Sequence, residues 1–138
     1  MRAQVTRMQD VSLGLPPLFL MRAAVAAVWL YEGLWCKLLG REPRQVEVVE
    51  AVPRLGPIVG RTFLRLLGAV ETLLALWVLS GVTPGLSAIA QTALLVALNA
   101  NGLLWARHII HDPGGMVVKN VSFLLLAWVV AAMSGGAS

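Results

Sequence analysis

Two carboxylates in this sequence lie inside long apolar stretches, where ionisable side chains are expensive and usually functional. They are Glu32 and Glu71. A carboxylate shielded from water can accept a proton from a bound molecule, or hold its polar head by hydrogen bonds. These two residues are therefore the best candidates for catalytic groups, although the residues themselves name no reaction.

Other polar residues lie toward the same end of these stretches. At 1.5 Å per helical residue, Glu32 lies about 10 Å beneath the loop after Leu39, and Asn99 lies similarly deep beneath Arg107. The opposite half is almost purely Ala, Leu and Val, apart from Arg22, which we expect to extend to the other membrane surface. This asymmetry predicts a polar pocket near one surface, closed beneath by apolar packing. The candidate ligand-binding residues are Trp29, Glu32, Lys37, Glu71, Asn99, Lys119 and Asn120.

A structural role for the charged residues stays open beside this one. Glu71 can pair with Lys119 or Arg65, and removing one member of such a buried pair costs about 3–5 kcal/mol. Lys37 follows Glu32 by five residues and lies off its α-helical face. We therefore expect Glu32 to find its partner on another helix.

The asparagines have the same two interpretations, as ligands or as hydrogen-bonding contacts between helices. Asn99 and Asn101 lie on one predicted helix, and Asn120 lies on the next. At about 100° per residue, Asn101 points roughly 200° away from Asn99. The two side chains therefore cannot both face one pocket.

Metal and disulfide chemistry find little support. His108 and His111 are spaced three apart beside Asp112, but a stable site needs further ligands, so they are weak candidates and we predict no metal site. The single cysteine, Cys36, excludes an intramolecular disulfide and a redox pair within the chain.

Four apolar segments must position these residues, and each is close to the ~20 residues that a membrane-spanning helix needs. They run over Leu18–Leu39, Thr62–Ser80, Leu86–Ala106 and Met116–Met133. The first segment lacks a small-residue cleavage site, so we expect it to remain as a membrane helix. The sequence thus predicts an all-α membrane protein of one domain over residues 1–138, folded as an antiparallel four-helix transmembrane bundle.

The connection from Arg41 to Arg61 is the only long one. Within it, Glu47 and Glu50 fall on one helical side, and Val46 and Val49 fall on a neighbouring side. This pattern is typical of a short amphipathic helix at the headgroup level. A solvated loop is the alternative.

Composition supports membrane insertion and argues against other classes. The 138 residues are 58% hydrophobic and 13% charged, against about 25% charged in soluble domains. The net charge is +4, but the basic residues mostly flank apolar segments, where they anchor to lipid headgroups. We therefore predict contacts with membrane lipids and no nucleic-acid binding, and the oligomeric state stays open.

Three passages resemble a known family. They are Trp29–Leu39, Gly68–Leu76, and the stretch from His111-Asp112-Pro113 to Lys119-Asn120-Val121. In this order and spacing they resemble the DoxX-like family of small bacterial membrane proteins. The residues that match the family's motifs are Gly33, Lys37, Gly68, Glu71, Lys119 and Asn120.

The resemblance implies four membrane helices in a bacterial cytoplasmic (inner) membrane. Relatives include the membrane subunit of a thiosulfate:quinone oxidoreductase, and others are associated with redox or oxidative-stress functions. The first hypothesis is therefore a redox-linked membrane subunit that binds a quinone or similar amphiphile, with Glu71 or Glu32 as proton acceptor. The second is a non-catalytic accessory or scaffold subunit of a larger membrane complex. The third is a small-molecule transporter.

Overall fold

Four long helices form the body of the protein, and a short helix lies in the first connection. The computed structural model describes residues 14–135. The first helix, α1, runs over Leu18–Leu30 and continues as a π-helix over Tyr31–Leu38. The other helices are α2 (Pro43–Glu50), α3 (Gly56–Ser80), α4 (Pro84–Trp105) and α5 (Pro113–Gly135).

The predicted fold class is confirmed. Within residues 14–135, the four long helices are each apolar and long enough to cross a membrane. The amphipathic helix expected in the first connection is α2. The one large difference in bounds is at α3, which begins at Gly56 rather than Thr62 because Pro57 is accommodated in the first helical turn.

Proline and glycine set most of the helix ends. Pro43 and Pro84 lie in the first turn of α2 and α4, where a helix needs no N–H from that residue. Gly81 ends α3 with φ +70°, a left-handed conformation that favours glycine. The following turn reverses the chain into α4, as its Pro and Gly content predicts.

The apolar core occupies one end of the bundle. Helix α1 packs against α3 and α5, and α4 packs against α5. Their buried side chains meet where α1 begins and where α3 and α5 end. The buried cluster contains Met21, Val25, Ala26, Trp29, Leu74, Ala75, Val78, Ala127 and Val130.

The outer surface of the long helices is strongly apolar. Phe19, Leu66, Leu104 and Leu125 are all more than half exposed. In water such a surface would be costly, whereas lipid tails solvate it readily. Several polar side chains are instead buried inside the bundle, among them Lys37, Glu71 and Gln91.

Candidate functional site

A cavity of about 320 Å³ lies between the helices, at the end of the bundle opposite the apolar core. We call it the polar cavity. It sits where α1 and α4 end, where α3 and α5 begin, and beneath α2. Its polar lining residues are Glu32, Lys37, Gln45, Glu71, Asn99 and Asn120. Its other walls are mostly apolar, formed by residues such as Leu64, Leu67, Leu95, Leu98 and Phe123.

Three charged residues meet at one side of the polar cavity. The Nζ atom of Lys37 lies 2.9 Å from Oε2 of Glu71 and 3.6 Å from Oε2 of Glu32. The side chains of Glu71 and Lys37 are 1% and 7% exposed, whereas that of Glu32 is 41% exposed. Glu32 therefore stands at the mouth of the cavity, and Glu71 lies in its interior.

The π-helix brings Glu32 and Lys37 together. In a π-helix the repeating hydrogen bond joins residues five apart, so positions i and i+5 come close on one side. Lys37 Nζ accordingly also donates to the backbone oxygen of Glu32, at 3.3 Å. The prediction that Lys37 lies off the face of Glu32 was wrong, because it assumed α-helical periodicity throughout the first segment.

The partner of Glu71 also differs from the two that the sequence favoured. Glu71 is paired with Lys37, whereas Lys119 and Arg65 are both exposed. A contact between two glycines makes this pairing geometrically available. A Cβ atom on Gly33 would lie 2.7 Å from the Gly68 oxygen, and one on Gly68 would lie 2.7 Å from Lys37 Cβ. The helices can therefore approach closely only because both positions lack a side chain.

The asparagines on the opposite wall form a connected pair. Asn120 Nδ2 donates to Asn99 Oδ1 at 2.8 Å, and Asn99 Nδ2 donates to the Leu95 oxygen at 2.7 Å. Asn101 is exposed and donates to the Ala97 oxygen of its own helix. The expected divergence of Asn99 and Asn101 is thus what the structure has.

Sequence reasoning missed Gln45, which reaches the cavity from α2. Its Nε2 atom donates to Oε2 of Glu32 at 2.8 Å, and Val48 and Val49 of the same helix also line the cavity. The signal was the amphipathic pattern of this segment, which puts Val46 and Val49 on one side of a helix expected at the headgroup level. In the structure this helix also covers the cavity, through Gln45, Val48 and Val49.

The floor of the polar cavity is formed by Trp29. Its Nε1 atom donates to Oε1 of Gln91 at 2.9 Å, and its ring packs against that of Phe123 in a T-shaped arrangement with centroids 5.7 Å apart. Gln91 in turn donates to Ser87 Oγ at 3.2 Å, and both side chains are buried. An indole and two polar side chains therefore separate the cavity from the other end of the bundle.

The half of the bundle beneath Trp29 is less apolar than expected. Besides Ser87 and Gln91, it holds Arg22, whose Nη2 atom donates to Ser134 Oγ at 2.8 Å. The guanidinium of Arg22 also lies against Gly81. A Cβ atom on Gly81 would be 3.1–3.2 Å from the guanidinium atoms. Arg22 thus lies near the other membrane surface, as expected, since Gly81 and Ser134 lie at the ends of α3 and α5.

Six of the seven candidate ligand-binding residues line the polar cavity, and Lys119 does not. Lys119 is exposed on α5, one residue before Asn120, so it points to a different side of the helix. His108 and His111 are exposed in the connection before α5. Among residues 14–135, no three His, Cys, Asp or Glu side chains are placed to hold a metal ion together.

Four long apolar helices around a cavity with a buried ion pair define a multi-pass helical membrane protein. The model of the DoxX-like family matches residues 26–128, which is most of the chain. The protein therefore belongs to the DoxX-like family, as the three sequence passages predicted. No curated protein and no solved structure matches the chain.

Proposed function

We propose that the protein is a redox-linked membrane subunit that binds the ring of a quinone or similar amphiphile in the polar cavity. The observation that carries this proposal is the convergence of Glu32, Lys37 and Glu71 on one side of an otherwise largely apolar cavity. Such a site can enclose an apolar ring and hydrogen-bond its oxygen atoms at the same time. The redox link rests on the family resemblance, and we place the protein in a bacterial cytoplasmic membrane on the same ground.

The size and position of the polar cavity fit such a ligand. Its volume of about 320 Å³ is at the lower end of the 300–1,000 Å³ usual for small-molecule sites. A single ring fits this space, whereas a long isoprenoid tail would have to extend into lipid. Leu95, Leu98 and Phe123 offer apolar contacts to the ring.

Each charged residue has a distinct role in this proposal. Lys37 holds the two carboxylates in place, and Glu71 faces the bound ring from within the cavity. Glu32, at the cavity mouth, exchanges protons with water at the membrane surface, because oxidation of a quinol releases two protons and reduction of a quinone consumes two. The two electrons that a quinone and its quinol exchange come from, or go to, a partner subunit that carries a flavin, haem or iron–sulfur group.

Filling the cavity tests the proposal. Leu98 lines it, whereas Leu104 lies on the lipid-facing side of the same helix and is 73% exposed. Purified protein in lipid nanodiscs would be titrated with a short-chain ubiquinone, with empty nanodiscs as the baseline. Wild type and the matched control Leu104→Trp should bind, and Leu98→Trp should not. Equal binding by all three proteins, or none by wild type, would overturn the proposal.

A non-catalytic accessory subunit is the second candidate, and one observation favours it. The ion pair of Lys37 and Glu71 is complete without a ligand and lies beside the contact of Gly33 with Gly68. A purely architectural role predicts that the wild-type protein binds no quinone in nanodiscs and that Glu71→Gln changes only the amount of complex assembled in membranes. That amount is measured by affinity purification of tagged protein, with the co-purifying chains quantified by mass spectrometry. Because both functions involve partner subunits, quinone binding by the wild-type protein is the result that distinguishes them.

A transporter has less support from the packing. Beneath Trp29, the closely packed Val25, Ala26 and Ala75 are each no more than 1% exposed and occupy the route to the other membrane surface. Proteoliposomes loaded with candidate solutes would reveal transport as flux above that of empty liposomes.

A further inference from the structure

Hydrogen bonds inside the polar cavity fix the orientation of its three amide side chains. A carboxylate accepts only, so Gln45 must turn Nε2 toward Glu32, which directs Oε1 elsewhere. A backbone oxygen also accepts only, so Asn99 turns Nδ2 toward Leu95 and Oδ1 toward Asn120. Asn120 must then present Nδ2 to Asn99, which directs its own Oδ1 away from this bond.

The atoms left without partners are oxygens. Gln45 Oε1 is buried and has no hydrogen-bond partner. Among the described residues, no group donates to Asn120 Oδ1, whereas the nitrogens of Lys37, Gln45, Asn99 and Asn120 all have acceptors. Each amide nitrogen keeps one further hydrogen, but no nitrogen in the cavity lacks a partner altogether.

The buried carboxylate of Glu71 adds to this excess of acceptors. Two carboxylate oxygens offer about four acceptor positions. The Glu71 side chain is only 1% exposed, so water satisfies little of this capacity. Among residues 14–135, its one charged or hydrogen-bonding partner is Lys37, which lies beside Oε2. Buried acceptors without donors cost free energy, and a ligand that donates to them recovers it. The formal charges of the cavity are one positive and two negative, which further disfavours an anionic ligand.

We infer that the polar cavity selects hydrogen-bond donors and so binds the reduced, hydroxyl-bearing form of a ring amphiphile, a quinol, more tightly than the oxidised quinone. This inference rests on the proposed function and specifies its ligand. A quinone carbonyl only accepts hydrogen bonds. A quinol hydroxyl both donates and accepts, so it satisfies the unpartnered oxygens and the spare amide hydrogens alike. Asn120 Oδ1 and the Glu71 carboxylate are the selecting atoms.

This preference has a consequence for redox chemistry. A site that binds the quinol tenfold more tightly raises the two-electron reduction potential of the bound pair by about 30 mV. The bound quinone is then a stronger oxidant than the quinone in the surrounding lipid. The cavity therefore favours quinone reduction by a donor subunit over quinol oxidation.

Three tetramethylated rings test the inference. Durohydroquinone donates and accepts, duroquinone only accepts, and the dimethyl ether of durohydroquinone has the same ring and oxygens but no hydroxyl. None has a free ring position for addition of a thiol or an amine. Binding to the protein in nanodiscs would be measured anaerobically by equilibrium dialysis against empty nanodiscs. We expect durohydroquinone to bind about tenfold more tightly than either other compound, as for an added hydrogen bond to a charged or buried acceptor.

Variants connect the preference to named atoms. Asn120→Leu removes a selecting oxygen, whereas Asn101→Leu makes the same change on the exposed side of α4. Asn120→Leu should lower the ratio of quinol to quinone affinity by about threefold or more, and Asn101→Leu should leave it unchanged.

The outcomes separate this inference from the proposed function. Binding of durohydroquinone and duroquinone with equal affinity, lost in Leu98→Trp, would overturn the donor preference and leave the proposed function standing. Tighter binding of duroquinone would overturn the preference as well. Failure of all three compounds to bind wild type would remove the proposed function and the inference together.

Discussion

The ion pair of Lys37 and Glu71 should respond asymmetrically to the loss of either partner. Lys37→Met leaves the Glu71 carboxylate inside the bundle with no other cation among residues 14–135 in contact with it. Glu71→Gln leaves Lys37 with Glu32, whose Oε2 and backbone oxygen lie 3.6 Å and 3.3 Å from Nζ. The lysine therefore keeps a partner, and the glutamate does not.

The magnitudes follow from burial and remaining contacts. Glu71 is 1% exposed, so Lys37→Met should cost about 3–5 kcal/mol of unfolding free energy at pH 7, as for a charge stranded inside a protein. Glu71→Gln should cost less, about 1.5–3 kcal/mol, which is the range for a lost hydrogen bond to a charged group. The double variant Lys37→Met with Glu71→Gln should cost less than Lys37→Met alone, because it leaves no stranded carboxylate.

The assay is reversible unfolding of the purified protein by dodecyl sulfate in mixed lipid–detergent micelles, followed by circular dichroism. Lys119→Met is the matched control, since it makes the same chemical change at an exposed position. It should change the unfolding free energy by no more than about 0.5 kcal/mol. The reasoning is refuted if Lys37→Met is as mild as Lys119→Met, or if Glu71→Gln proves the more damaging of the two cavity changes.

Two further predictions concern packing and the cavity floor. Gly68→Ala should destabilise the bundle by about 1–3 kcal/mol, because its Cβ would lie 2.7 Å from Lys37 Cβ. Gly85 has open space around it, so the control Gly85→Ala should not destabilise the protein. Equal unfolding midpoints for the two variants would contradict the close contact of α1 with α3 at Gly33 and Gly68. Trp29→Phe leaves the buried Gln91 oxygen without its donor and should cost about 1–3 kcal/mol. Trp128→Phe removes the hydrogen bond of an exposed indole to Thr92 and should cost less unfolding free energy. A larger loss for Trp128→Phe than for Trp29→Phe in the same unfolding assay would count against Trp29 as the floor of the polar cavity.

The sequence predicted the helices and the common depth of the polar residues for simple physical reasons. Hydropathy and length identify a membrane span, and a fixed rise per residue converts position into depth. Glu32, Glu71, Asn99 and Asn120 were therefore expected near one another, and the structure places all four around one cavity. Depth alone, however, does not determine which side chains meet.

The pairings could not be predicted because they depend on backbone geometry that a uniform helical period does not contain. The π-helix over Tyr31–Leu38 aligns Glu32 with Lys37. No side-chain pattern in this segment predicts a π-helix. Lys37 then reaches Glu71 because Gly33 and Gly68 let two helices touch. Both glycines belong to the residues that carry the family resemblance, but the contact between them depends on how the two helices cross.

Gln45 and Gln91 were missed for different reasons. Gln45 lies outside the membrane spans, where hydropathy and depth give a side chain no predicted place in the cavity. Gln91 lies inside a span, but a glutamine carries no charge and the donor that satisfies it, Trp29, is on another helix. Pairs of this kind are visible only once the helices are placed together.

Photoaffinity labelling of the protein in native membranes tests most directly whether the polar cavity is a ligand site. A photoreactive quinone analogue would be cross-linked, and the labelled peptides would be identified by mass spectrometry with and without an excess of short-chain quinol. We predict labelling at cavity residues such as Leu98, Met116 and Phe123, removed by the competitor. Labelling confined to lipid-facing positions such as Leu66, Leu104 and Leu125, and unaffected by the competitor, would contradict the account.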